Sequence, residues 1–190
     1  MDRSAELRWF RREPFPGPVT AWFHHAAEPP ATRSDSYLVL VGSDALGVKV
    51  RGGSTSFELK LRPRPGTPLA LSHGGAGQLE EWQKWSFSRS GITRLLPRLG
   101  LPKDGWVTVG KQRRLATIPY RVGAGCNIEL TALEAVGQSW STLGFEAFGP
   151  PVDLVPALEA AVEKFFAAVN LPGGFGTDLS CGYPGWLATL

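Results

Sequence analysis

The sequence predicts a mainly β protein of the α+β class, an antiparallel barrel with helices packed on its outside. Three observations carry that expectation. Apolar and polar residues alternate with period two in many short segments, which marks half-buried strands. Short Gly-containing turns join these segments as consecutive neighbours, which favours antiparallel pairing. The tally of roughly eight or nine strands is enough for a sheet to curl and close, removing its edges.

Taken in order, "SAELRWF" (4–10) reads as a strand ended by the Pro/Gly cluster "PFPGP". "VTAWFHHAAE" then places Val19, Trp22, Phe23 and Ala26 at helical spacing, with Pro18 suited to a first turn. A loop, "PPATRSD", leads to the apolar strand "YLVLV" (37–41). Strands at 46–51 and 55–62 follow, turned by "GSD" and "GGST". Residues 62–78 are rich in Pro and Gly and read as a flexible loop before the strand 79–87. Ser90 would cap a short helix limited by Pro97. Strands are expected at 105–111, 113–121, 126–134 and 139–148. The helix 152–169 carries Val155, Leu158, Val162, Phe165, Phe166 and Val169 on a broad apolar face. The tail, closing "SCGYPGWLATL", reads as irregular.

A chain of 190 residues, 43% hydrophobic, suits one domain over 1–190 with a real core. The start is charged where a signal peptide would be apolar, and no long apolar run spans a membrane, so a cytoplasmic protein is expected. Cys126 and Cys181 make neither a disulfide framework nor a metal motif. A net charge of +3 is too small to predict nucleic-acid binding.

The charges are placed with more order than their sum suggests. In "GVKVRGGSTSFELKLR", Lys49 and Arg51 alternate with valines, and Glu58, Lys60 and Arg62 alternate with Phe57, Leu59 and Leu61. Glu6 with Arg8, Lys111 with Arg113, and Glu129 with Thr131 repeat the pattern, as do Glu80, Trp82, Lys84 and Ser86. Periodicity leaves two readings open: a solvated charged face, or the inner wall of an anion site. Cations converging inside a barrel need anions or carboxylates to neutralise them.

The order of these segments resembles the CYTH superfamily, the triphosphate tunnel metalloenzymes. The family's N-terminal Glu-x-Glu-x-Lys strand is similar to "ELRWF", where Glu6 matches and Arg8 and Phe10 depart. "RSDSYLVLV", "VKVR", "FELKLR" and "VTVGKQRRLATI" resemble its Asp/Tyr and basic strands, and "NIELTALEAVGQSWSTLGFEAF" its carboxylate strands. The closing "SCGYPGWL" resembles a Ser-x-Tyr ending. The resemblance implies an eight-stranded closed tunnel. Arg8, Lys49, Arg51, Lys60, Arg62, Lys84, Lys111 and Arg113 would bind phosphate, and Glu6, Glu58, Glu129 and Glu146 would hold Mg²⁺ or Mn²⁺. It implies a triphosphate-containing small molecule or polyphosphate as ligand, with metal-assisted phosphohydrolysis. A cation at position 8 would oppose metal binding. Three classes of function therefore stand: a metal-dependent triphosphatase, an inactive nucleotide- or polyphosphate-binding module, and a non-enzymatic protein binding RNA or another macromolecule.

Competing motifs are weaker. His24, His25 and His73 lack the spacing of a metal site. "HGGAG" (73–77) lacks the Gly-Lys-Ser/Thr ending of a phosphate loop. Trp82 and Trp85 point to opposite faces, so at most one of them lines a tunnel.

Overall fold

The computed structural model describes residues 1–52, 56–72, 74–88, 105–170, 175–177 and 180–190. The helix expected after Ser90, His73 and parts of "GGFGTD" lie outside them.

The alternating segments form strands β1 (Asp2–Arg11), β2 (Ala31–Leu38), β3 (Leu46–Arg51), β4 (Ser56–Leu61) and β5 (Thr67–Ala70). They continue as β6 (Ala76–Ser88), β7 (Trp106–Arg121), β8 (Ala124–Ala135) and β9 (Gln138–Phe148). The helices among the described residues are α1 (Gly17–Ala26), α2 (Pro151–Val169) and the short α3 (Tyr183–Leu187). Every pairing is antiparallel, and the ring β1-β9-β8-β7-β2-β3-β4-β6 closes through β1–β6, an eight-stranded barrel. β5 adds to β6 beyond the ring.

The main apolar core lies outside this barrel. Leu7 and Trp9 of β1, Ile128 of β8, and Leu143 and Phe145 of β9 pack under Leu158, Phe165 and Phe166 of α2 and Phe23 of α1. Because successive side chains of a strand alternate faces, this burial turns Ser4, Glu6, Arg8 and Phe10 of β1 inward. The same logic turns the charged side of the other strands into the lumen. The hydrophobic effect at the outer wall therefore sets the direction of the charges inside.

One end of the lumen is apolar. Phe10, Tyr37, Val109 and Leu133 from the wall meet Trp186 and Leu187 of α3, with Trp140 and Tyr183 packed against them. Phe10 and Trp186 stack with ring centroids 4.8 Å apart, and Tyr37 and Tyr183 stack at 5.3 Å. Position 10 thus carries a ring because α3 supplies its partner.

Several boundaries differ from the sequence-based expectation. β2 begins at Ala31, inside the stretch read as a loop, because its ladder with β7 stabilises a strand whose inward residues are polar. The expected pair of strands 105–111 and 113–121 is one strand, β7, paired along its length with β8. The Pro/Gly-rich stretch contains β5 and the start of β6.

Candidate functional site

Register places the inward side chains opposite one another. Glu6 is the partner of Glu80 on β6 and of Glu146 on β9. Lys49 faces Glu58, Lys60 faces Lys84, Asp35 faces Arg51, and Arg33 faces Lys111. A wall built this way brings cations and carboxylates of distant sequence into one volume.

Nearly every acid in that volume is held by a cation. Lys49 Nζ lies 2.7 Å from Glu58, and Arg51 Nη2 lies 2.9 Å from its other oxygen. Arg8 Nη1 donates to Glu129 at 3.1 Å and to the Thr142 hydroxyl at 3.3 Å, while Arg113 approaches Glu129 at 3.4 Å. Lys60 donates to Glu6 and lies 4.0 Å from Glu146. Arg62 donates to Glu80 and Asp44. Asp35, fully buried, sits 3.3 Å from both Lys111 and Arg33. Lys111 also donates to the Tyr37 hydroxyl at 2.6 Å and lies over the Tyr183 ring at 4.0 Å. Lys84 is half-buried and has no paired carboxylate among the described residues.

Glycine at 144 makes room for the first of these cations. A Cβ there would lie 2.4 Å from Cζ of Arg8, so the guanidinium occupies the space a side chain would need. Between these groups a cavity of about 50 Å³ is bounded by Glu6, Tyr37, Lys49, Lys60, Trp82 and Tyr183. That volume holds a few waters.

The pairing controls ionisation. Burial opposes the charge on Glu129, but Arg8, then Lys111 and Arg113, hold its carboxyl down at about 2. Burial likewise opposes the charge on Arg8 and Lys60, yet Glu129 raises the first and Glu146 with Glu6 raises the second. Lys111 behaves differently: burial outweighs Glu129 and Asp35 and brings its ammonium down to about 7. Burial also raises the Glu80 carboxyl above its usual value.

The structure turns the charged residues marked by alternation, Glu6, Arg8, Lys49, Arg51, Glu58, Lys60, Arg62, Glu80, Lys84, Lys111, Arg113 and Glu129, toward the lumen, together with Glu146, which the family resemblance named. It adds Arg33, Asp35, Tyr37, Thr142 and Tyr183. The shared parity of Arg33, Asp35 and Tyr37 was a usable signal, obscured by starting the strand at 37. Of the four glutamates expected to hold a metal, Glu6 and Glu146 are register partners sharing Lys60, while Glu58 and Glu129 are held by other cations. Glu58 belongs to Lys49 and Arg51, Glu129 to Arg8 and Arg113, and Glu6 to Lys60. Among the described residues, no group of three His, Cys, Asp or Glu is placed to hold a metal ion. The donor set, as paired, does not fit a divalent centre.

No protein-family model matches the chain, and no curated protein matches its sequence. Among solved structures it is similar to the mimivirus capping enzyme triphosphatase, with a TM-score of 0.56 and 13% identity over 90% of each chain. A structure of the RNA triphosphatase domain of that mimivirus enzyme matches with a TM-score of 0.55, at 11% identity and 88% coverage of each chain. It is also similar to a conserved hypothetical protein from Pyrococcus furiosus, with a TM-score of 0.55 and 12% identity, over 88% of this chain and 91% of that one. The likeness is one of fold: the chain shares the closed antiparallel barrel of these structures.

Proposed function

We propose that the lumen binds the phosphates of a triphosphate-bearing small molecule or of inorganic polyphosphate. One observation carries this reading: the interior of the barrel is filled with paired charges where an apolar core would serve stability as well or better. Replacing buried ion pairs by packed hydrophobic groups is often neutral or stabilising, so such a lumen is poor value as scaffold. As an anion site it makes chemical sense, because phosphate oxygens replace carboxylate oxygens on Arg and Lys without leaving the cations bare. Arg51, with its side chain 40% exposed, and the half-buried Lys84 and Arg113 are the first contacts. Lys49, Lys60 and Arg8 lie deeper.

Hydrolysis is the second reading, supported by the fold shared with proteins named triphosphatases. The chain's own contribution would be placement of the phosphates and neutralisation of their charge. Mg²⁺ or Mn²⁺ dependence belongs to this reading and is tested with it. The free thiols Cys126 and Cys181 suit a reducing compartment such as the cytoplasm. No helix among the described residues is long and apolar enough to cross a membrane.

Thermal melting with tripolyphosphate, ATP and a short RNA, each with chelator or with Mg²⁺ or Mn²⁺, tests these readings. At a hundredfold excess over Kd, tripolyphosphate should stabilise the fold by about 2.7 kcal/mol, raising Tm by roughly 5–10 °C. Phosphate release under the same conditions separates hydrolysis from binding. If only the RNA stabilises the protein, the small-anion reading is wrong.

A further inference from the structure

Three carboxylates lie in a row across neighbouring strands: Glu80 on β6, Glu6 on β1 and Glu146 on β9, joined as register partners. Side chains directly opposite in a sheet stand about 5 Å apart at Cβ, and like charges there repel. Such a row is relieved by protons, by a divalent cation or by cations of the protein itself. The structure takes the third course. Lys60 of β4 donates to Glu6 while standing 4.0 Å from Glu146, and Arg62, just past the end of that strand, reaches Glu80.

We propose that the Lys60 ammonium fills the cation place of this acidic row, so the lumen grips its anion without a resident divalent metal. The ammonium is tethered, and Glu146 and Glu6 keep it charged despite burial. A divalent ion entering between Glu6 and Glu146 would meet a fixed positive charge already seated there, with the Arg8 guanidinium close behind it. This inference rests on the charge arrangement and extends the anion reading by naming what supplies the cation.

The test compares wild type with Lys60→Met, which keeps the length and apolar stem of the side chain and removes its charge. Mn²⁺ alone, with no phosphate compound present, is titrated into each and followed by electron paramagnetic resonance. Lys60→Met should bind Mn²⁺ at least tenfold more tightly than wild type. Equal affinities, or tight Mn²⁺ binding by wild type, overturn the proposal. Lys60→Gln repeats the comparison if the first variant does not melt cooperatively, and the wild-type titration can sink the proposal without any variant. Wild-type affinity for tripolyphosphate should be unchanged by EDTA, and a tenfold loss there also overturns it. If tripolyphosphate binds in neither condition, the anion reading fails and the Mn²⁺ comparison alone decides the role of Lys60.

Discussion

Lys111 shows how much a single burial decides. Its ammonium faces Asp35, Arg33 and Tyr37 on β2, Lys49 on β3, Arg8 on β1, Glu129 on β8 and Tyr183 on α3. Burial brings it to about 7, well below the 10.5 of a free lysine, so between those values the unfolded chain holds a proton the native one lacks. Stability therefore rises with pH across that window, and the cost of the buried charge is full below about 7. Lys111→Met should gain roughly 5 °C in Tm over wild type at pH 6, and less at pH 10. Glu129 has the opposite sign. With its carboxyl at about 2, it contributes stability that is present above 4.5 and lost as pH falls from there toward 2. Glu129→Gln should flatten that part of an acid melting series; an unchanged slope would mean that Arg8 and Arg113 do not hold it. Both residues were legible in the sequence, because each shares parity with another polar group. Asp35 was not placed with them, because starting the strand at 37 hides the parity that Asp35 shares with Arg33 and Tyr37 until the ladder with β7 is seen.

β1 carries the main argument at the scale of the element. Its odd positions, Ala5, Leu7 and Trp9, face α2, and its even positions, Glu6, Arg8 and Phe10, face the lumen. Alternation alone showed two faces without saying which was inside. The missing information was already present in α2, whose broad apolar face needs an apolar wall to cover it. Only the uncharged side of β1, β8 and β9 offers one. The strand ends were harder to read, since β2 and β5 owe their form to ladders with β7 and β6 rather than to their own composition. The short α3 was unreadable for a similar reason: five residues make a helix only where Trp186 has Phe10 and Trp140 to pack on. Trp186→Ala should cost about 3–5 kcal/mol, as for a large buried aromatic, measured by chemical denaturation. A loss below about 1 kcal/mol, within the range of surface changes, would show that α3 is only laid over the barrel end.

The molecule as a whole is a barrel whose inner charges balance one another before any ligand arrives. On the proposed function, binding a polyphosphate would be an exchange in which Arg8 and Arg113 turn from Glu129 to phosphate oxygens. Released from its cations, Glu129 would return toward an ordinary carboxyl and take up a proton near pH 4. Calorimetric titration with tripolyphosphate at that pH, in two buffers of different ionisation enthalpy, should show proton uptake that is smaller in Glu129→Gln. Equal uptake in the two proteins would mean that Glu129 keeps its partners. The contact between Arg8 and Gly144 reaches beyond one molecule. A guanidinium lying in the space of an absent side chain ties two distant positions into one heritable unit. A larger residue at 144 demands a smaller one at 8, and a shortened residue at 8 frees 144 from glycine. Across relatives, the two columns should change together or not at all.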